Sequence, residues 1–161
     1  MMPAATADIS GFVIRTPHLG EIQWQPGSEL FLPAGLPGFE NETHLLPVEV
    51  PVHRPLVFLQ SLKRPDLCFV SLPVRTICPE YELLLSYEDR ALLAMRAGEP
   101  PRIGENILCL ALLLPSGSTV HVNLNAPIVV NLHNSRCIQC VVSESVKRYR
   151  LGDSGNWEPS C

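Results

Sequence analysis

Two cysteines stand three positions apart near the end of the chain, in the stretch Cys137-Ile138-Gln139-Cys140. Such a CxxC pair can bind zinc or take part in thiol–disulfide exchange. A structural zinc site takes four ligands, however, and only His133 lies nearby, with no second CxxC in the chain. The stretch also has the composition of a strand, in which residues three apart point to opposite faces. The sequence therefore favours two buried thiols over a metal site.

A glycine-containing stretch, Leu30–Glu40 with the sequence LFLPAGLPGFE, raises the question of a phosphate loop. A Walker loop needs Lys and Ser or Thr after its last glycine, followed by a helix. Here Phe39 and Glu40 follow Gly38, and the carboxylate of Glu40 would repel phosphate. The Leu-Pro-Gly triplet that ends at Gly38 instead predicts a type II turn, in which glycine supplies the positive φ.

Polar side chains that interrupt apolar strand patterns form a third group of candidates. His121, Asn123 and Asn125 alternate with apolar residues, so they share one face of a predicted strand, which we expect to be solvated. Gln60 lies on the apolar face of the stretch Leu56–Leu62, where a buried amide must find hydrogen-bond partners. We expect Gln60 to brace a neighbouring backbone rather than to do chemistry.

The ionisable residues show no pattern of an active site. The histidines have no obvious nucleophile beside them, and the serines lack the elbow motif of hydrolases. Acidic residues in the middle of the chain are scattered over loops, a strand and a helix start: Asp66, Glu80, Glu82, Glu88 and Asp89. The sequence thus predicts neither an enzyme nor a bound cofactor.

Composition restricts the class of protein. The 161 residues are 46% hydrophobic, enough for one domain with a core rather than a disordered chain. A formal net charge of −4 gives no footprint for direct nucleic-acid binding, although it permits a basic protein partner. The longest apolar run, Ile107–Pro115, is too short to cross a bilayer, and no signal peptide is visible. We expect a cytoplasmic protein that contacts no membrane and keeps its six cysteines reduced.

Sixteen prolines and ten glycines predict many short elements rather than a few long helices. The apolar residues mostly recur with period two or in short bounded runs, which is typical of strands. The predicted strands are Phe12–Arg15, Glu21–Trp24, Glu29–Leu32, His44–Val48, Leu56–Leu62, Leu67–Leu72, Tyr81–Leu85, Asn106–Leu114, Thr119–Leu124, Ile128–Leu132 and Cys137–Val142. This pattern predicts an all-β, mainly antiparallel fold, either barrel-like or a sandwich.

One short helix is predicted within this β pattern. Ser86 fits the N-cap position, the acidic Glu88 and Asp89 lie in the first turn, and Gly98 offers a C-terminal stop. We expect this helix to pack over an open end of the barrel.

Several segments together resemble one protein family. In order they are FLPAGLPGFE (Phe31–Glu40), PLVFLQSL (Pro55–Leu62), PDLCFVSLP (Pro65–Pro73), EYELLL (Glu80–Leu85) and VNLNAPIVVN (Val122–Asn131). Their order is similar to that in the flagellar assembly factor FliW family, and Ile138–Val142 resembles the family's Gln-containing last strand. The chain then divides into a flexible N-terminus (1–10), one FliW-like β domain (11–149) and a loose C-terminal tail (150–161).

The resemblance implies a small antiparallel β protein of the cytoplasm that works without catalysis. It implies two protein partners, which are flagellin before its export and CsrA, a small basic RNA-binding dimer. It further implies that antagonism of CsrA relieves repression of flagellin translation and that accumulated flagellin frees CsrA again. The alternative is a small-ligand-binding or metal-binding β-barrel that uses its cysteine and histidine residues.

The resemblance identifies segments, and residue type suggests which side chains meet a partner. The residues expected at a partner surface belong to the glycine turn and to the acidic set: Leu36, Pro37, Phe39, Asp66, Glu80, Glu82, Glu88 and Asp89. For Phe39, a place in the core is an equal alternative. The residues expected to determine the fold are Gly35, Gly38, Gln60, Asn123, Ala126 and Pro127.

Overall fold

The two longest strands, β7 (Ile107–Ser116) and β8 (Thr119–Asn131), form the hairpin on which the rest of the fold is built. Successive residues of β7 face two different core clusters, with Cys109 and Ala111 in one and Leu110 between them in the other. Because both faces of β7 are covered, its apolar residues form a continuous run instead of an alternating one.

The computed structural model describes residues 11–142 and the backbone of residues 149–150. Apart from the β7–β8 hairpin, the elements are β1 (Phe12–Thr16), β2 (Gly20–Trp24), β3 (Leu30–Phe31), β4 (His44–Glu49), a 3-10 turn (Pro51–His53), β5 (Val57–Ser61), β6 (Cys68–Pro73), α1 (Val74–Ile77), α2 (Tyr87–Leu92), β9 (Cys137–Gln139) and β10 (Tyr149–Arg150). In the part of the chain so described, no helix is long and apolar enough to cross a bilayer.

The main sheet nearly closes on itself. Its strand order is β10-β8-β7-β6-β5-β4-β3, with β9 also paired to β8, and these pairs are antiparallel; β1 and β2 form a separate hairpin. Phe31 at the end of β3 bridges to Arg136, directly before β9, and its N–H donates to the carbonyl of Ser135 at 2.9 Å. This contact joins the two ends of the sheet, so the prediction of an all-β, barrel-like fold is confirmed.

Two apolar clusters lie on opposite faces of the sheet. The inner cluster fills the barrel: Leu30, Leu32, Leu36, Leu45, Val57, Leu59, Leu110, Leu112, Ile128, Val130 and Cys137. The outer cluster lies between the sheet and the segment that contains α1 and α2: Leu72, Val74, Ile77, Leu83, Leu93, Ile107, Cys109, Ala111, Val122, Leu124, Val129, Ile138 and Cys140. The hydrophobic effect thus holds the barrel and its outer covering through one shared set of strands.

The predicted strand Tyr81–Leu85 is wrong, because this segment pairs with no strand in the described part of the chain. It packs on the outer cluster by side chains instead: Leu83 is buried, and the Tyr81 hydroxyl donates to the carbonyl of Leu124 at 3.1 Å. Leu84, between the two inward-facing leucines, is 96% exposed. Alternate burial alone therefore produced the strand-like pattern.

The two predicted strands Thr119–Leu124 and Ile128–Leu132 are one continuous strand, β8. Pro127 lies where the pairing with β7 shifts register, so its missing N–H removes no hydrogen bond from a regular ladder. On the other edge the ladder continues, since the N–H groups of Cys140 and Val142 donate to β8 carbonyls at 3.0 and 2.7 Å. The chain therefore stays extended through the proline.

The helix begins where it was predicted and ends earlier. Ser86 caps α2, but the helix ends at Leu92 instead of near Gly98. The break lies at Ala94, whose φ of 51° is left-handed. Of the expected loose termini, residues 1–10 and 151–161 lie outside the described residues, and Arg150 lies in β10.

Candidate functional site

The glycine stretch forms a tight, internally bonded turn. The Phe39 N–H donates to the Leu36 carbonyl at 2.7 Å, and Gly38 has a φ of 81°, as the third position of a type II turn requires. Gly35 has a φ of 62°, and a Cβ there would lie 2.6 Å from the carbonyl oxygens of both Phe39 and Glu40. Only glycine fits that position without a shift of backbone.

Three predicted contact residues of this turn have different environments. Leu36 is 3% exposed and belongs to the inner cluster, so its side chain offers no surface to a partner. Phe39 is half-buried and packs edge-on against Phe69, with ring centroids 5.1 Å apart. Pro37 is exposed. Of the three, Pro37 is the one whose side chain is fully available at the surface.

Helix α2 has no buried residue. Tyr87 is 88% exposed and Leu92 is 44% exposed. Its N-terminus carries a capping box: the Asp89 N–H donates to the Ser86 hydroxyl at 3.0 Å, and the Ser86 N–H donates to the Asp89 carboxylate at 3.3 Å. A helix of six residues is too short to be stable alone, so its ends must hold it.

Side chains from the end of β8 and from the β8–β9 loop hold the C-terminal end of α2. The side-chain amides of Asn131 and Asn134 donate to the Leu93 carbonyl at 3.0 and 3.1 Å. The Arg136 guanidinium donates to the Leu92 carbonyl at 3.0 Å. Carbonyls that a helix end leaves without a partner are satisfied in this way, and α2 is fixed beside β9.

A groove of about 350 Å³ lies between the glycine turn, α2 and β9, and we call it the β9 groove. Its lining residues are Ala34, Gly35, Pro37, Glu40, Asp89, Leu92, Cys137, Ile138, Gln139 and Val141. It brings together two predicted contact residues, Pro37 and Asp89, which are far apart in the sequence. It also adds Glu40, Leu92 and Val141, which sequence reasoning did not assign to a partner surface.

The β9 groove combines apolar and acidic surface. Glu40 accepts a hydrogen bond from the Gly38 N–H at 3.0 Å, and this bond lowers the pKa of the Glu40 carboxyl below its ordinary value. Asp89 supplies a second carboxylate, and among the described residues that line the groove none is basic. The groove can therefore receive an apolar side chain and a cation side by side.

The other predicted acids do not join this groove. Asp66 is exposed in the β5–β6 turn, where it pairs with Arg64 at 3.4 Å. Glu80, Glu82 and Glu88 are exposed and do not line the groove. The acidic set is thus spread over the surface rather than gathered in one site.

The residues that were expected to determine the fold take part in hydrogen bonds with main-chain groups. The side-chain nitrogen of the fully buried Gln60 lies 3.0–3.4 Å from four carbonyl oxygens around the β5–β6 turn, those of Ser61, Arg64, Pro65 and Leu67. The Asn123 side chain accepts from the Asn125 N–H at 3.0 Å, and the Ala126 carbonyl accepts from the Gln139 side chain at 3.0 Å.

His121, Asn123 and Asn125 are half-buried rather than solvated, contrary to expectation.

The CxxC cysteines face different clusters. Cys137 lies in the inner cluster and Cys140 in the outer one, so one metal ion could not bind both thiols. Among the described residues, no group of three or more His, Cys, Asp or Glu side chains could hold a metal.

Cys68, Cys109, Cys137 and Cys140 are free thiols, whereas Cys78 is disulfide-bonded, so the expectation of reduced thiols is wrong there.

Comparison with known proteins decides the family. The family model described as FliW protein matches residues 13–152. The chain belongs to the FliW family. It is 28% identical over 133 residues to the flagellar assembly factor FliW of Carboxydothermus hydrogenoformans, with 81% of this chain and 84% of that protein covered.

Other FliW proteins and a solved FliW structure agree with this assignment. The flagellar assembly factor FliW of Desulfitobacterium hafniense is 29% identical over 132 residues, which cover 82% of this chain and 84% of that protein. A crystal structure of the flagellar assembly factor FliW superimposes with a TM-score of 0.74 at 24% identity, covering 87% of this chain and 96% of that one. At that identity, the structural likeness shows a shared fold.

Proposed function

We propose that this chain is a cytoplasmic flagellar assembly factor that binds flagellin and antagonises the translational repressor CsrA without catalysis. The observation that carries the proposal is the match to the FliW family over residues 13–152, nearly the whole described domain. In this role the chain couples the level of flagellin to its translation, because flagellin and CsrA are alternative binding partners of the same regulator.

The surface chemistry is compatible with such a role. The chain has a formal net charge of −4, which favours encounter with a basic dimer over direct contact with RNA. Helix α2 is held at both ends yet buries none of its residues, so its exposed face is free to meet a protein. Control of CsrA needs only a contact energy that differs between its RNA-binding and RNA-free states.

The test is a reconstitution with purified CsrA and flagellin from the same organism. We expect the chain to co-purify with each partner, to release CsrA from flagellin messenger RNA, and to lose this effect when flagellin is added in excess. The CsrA contact should weaken as ionic strength rises, because exposed charges are screened beyond about 10 Å at 0.1 M salt. Failure to bind either partner at micromolar concentration would show that the proposal is wrong.

A further inference from the structure

Among the described residues, strand β9 and the segment that follows it, Cys140–Val142, are paired with another strand along one edge, which faces β8. On that edge the N–H groups of Cys140 and Val142 donate to carbonyls of β8. Main-chain groups of an antiparallel strand point alternately to the two sides. The N–H and C=O groups of Gln139 and Val141 therefore point away from β8, toward the β9 groove, which both residues line.

Among residues 11–142, nothing pairs with the outer edge of β9 and of the segment after it beyond the barrel closure. The bridge between Phe31 and Arg136 closes the sheet only at the start of β9. Within residues 11–142, no main-chain hydrogen bond to Gln139 or Val141 is present on this outer edge. Such an edge is a template on which an extended segment of another protein can add a strand.

The walls beside this open edge specify what kind of segment fits. Val141 is 83% exposed and Leu92 is 44% exposed, so apolar surface lies next to the free main-chain groups. Glu40 and Asp89 supply carboxylates on the same groove. Lys and Arg side chains pack their apolar stems on such surface while the charged end reaches a carboxylate.

The groove on the other side of α2 has the opposite charge. It is larger, about 620 Å³, and Tyr87, Met95, Arg90 and Arg96 are among its lining residues. An acidic segment would be attracted to that side, whereas the β9 groove has two carboxylates and, in the part of the chain that the structure describes, no basic lining residue. Helix α2 thus separates two surfaces that select partners of different charge.

We propose that the β9 groove receives an extended basic segment of the partner protein, which adds a strand to the edge formed by Gln139 and Val141. The proposal rests on the proposed function, in which the basic partner is CsrA. Along this bound segment, successive side chains would alternate in direction. Apolar side chains would contact Leu92 and Val141, and basic side chains would reach the carboxylates of Glu40 and Asp89.

Residue-resolved amide exchange tests the added strand directly. In the free chain, the amides of Cys140 and Val142 should already be protected by β8, whereas those of Gln139 and Val141 should exchange rapidly. Saturation with CsrA should slow the exchange of Gln139 and Val141 by at least about tenfold. Binding of CsrA without any slowing at these two amides would overturn the proposal, as would slowing that flagellin causes and CsrA does not.

A pair of substitutions at Val141 separates main-chain pairing from side-chain contact. Val141→Pro removes the outward N–H, whereas Val141→Thr retains it with a side chain of similar shape. We expect Val141→Pro to weaken CsrA binding by about tenfold or more and Val141→Thr to change it by less than about threefold. If the two folded variants bind CsrA with equal affinity, the proposal is overturned. If Val141→Pro fails to fold, the amide exchange of Gln139 and Val141 in the unaltered chain is the deciding test of the added strand.

A charge variant tests the choice of a basic occupant. Glu40→Gln keeps an acceptor for the Gly38 N–H but removes the negative charge, and Glu49→Gln removes an equivalent charge outside the groove. Only Glu40→Gln should weaken CsrA binding and reduce its dependence on salt. Equal effects of both variants would overturn the assignment of charge to this groove, whereas absence of CsrA binding by the unaltered chain would refute the proposed function instead.

Discussion

Single buried polar residues hold the connection between β5 and β6. The side-chain nitrogen of Gln60 lies among carbonyl oxygens of this turn. Next to it, the Ser61 hydroxyl donates to the buried carboxylate of Glu42 and accepts from the Arg64 N–H at 2.9 Å. Because a buried polar group without a partner costs about 1–3 kcal/mol, these residues fix the turn by giving its backbone defined partners.

Gly35 and Gly38 differ in what their substitution should cost. Alanine at either position must adopt a positive φ, which costs about 1–2 kcal/mol. At Gly35 the added Cβ also meets two backbone oxygens at 2.6 Å, whereas at Gly38 nothing lies within 4 Å. We expect Gly35→Ala to lower the free energy of unfolding by about 3 kcal/mol and Gly38→Ala by about 1 kcal/mol.

Urea unfolding of the two glycine variants measures this difference. Gly38→Ala is the matched control because it changes the same residue type in the same turn. A loss of stability for Gly35→Ala no greater than for Gly38→Ala would contradict the close contact with the carbonyls of Phe39 and Glu40. The midpoint should shift without a change in the slope of the unfolding line, since the surface exposed on unfolding is the same.

At the scale of elements, α2 depends on its ends because it has no buried face. Ser86→Ala removes the hydroxyl that accepts from the Asp89 N–H, and loss of such a cap costs about 1 kcal/mol. We expect faster amide exchange at Asp89 and Arg90, while exchange in β7 and β8 stays unchanged. Ser118→Ala, at an exposed site in the β7–β8 turn, is the control and should leave amide exchange in α2 unaffected. If amide exchange at Asp89 and Arg90 is no faster in Ser86→Ala than in Ser118→Ala, this role of the cap is contradicted.

The elements that sequence predicts well are those whose signals are local. Ser86 and Asp89 lie three residues apart, so the capping box is visible in the sequence. The end of α2 is not visible, because Asn131 and Asn134, about 40 residues away, satisfy its last carbonyls. Helix α1 likewise has no helix signal, because Val74, Thr76 and Ile77 are β-branched.

The β9 groove could be predicted only in part for the same reason. Residue type predicts Pro37 and Asp89 as contact residues, but nothing in the sequence places them on one surface. Their proximity follows from the contact of β3 with the start of β9, which joins distant parts of the chain. The open edge at Val141 also has no sequence signal, since the whole stretch Cys137–Val142 has the pattern of a strand.

At the scale of the whole molecule, both apolar clusters contain buried cysteine thiols. Cys109 and Cys140 pack in the outer cluster and Cys137 in the inner one. Burial raises the pKa of each of these three thiols to about 12, because a thiolate would lose its hydration there. The core therefore tolerates cysteine only in its protonated form, as a small apolar residue.

These thiols make the stability of the fold depend on pH in the alkaline range. Below about pH 8.5 they are protonated in both states and contribute no pH dependence. Above that value the unfolded chain releases protons that the folded chain retains, so the free energy of unfolding should fall by up to about 1.4 kcal/mol per pH unit for each thiol until the pH reaches the folded pKa. Urea unfolding under reducing conditions between about pH 8 and 11 measures the slope, and Cys137→Ala, which removes one titrating group, should make it shallower. A stability that stays constant over this range, or an equal slope in the variant, would mean that the thiols ionise in the folded chain as readily as in the unfolded one.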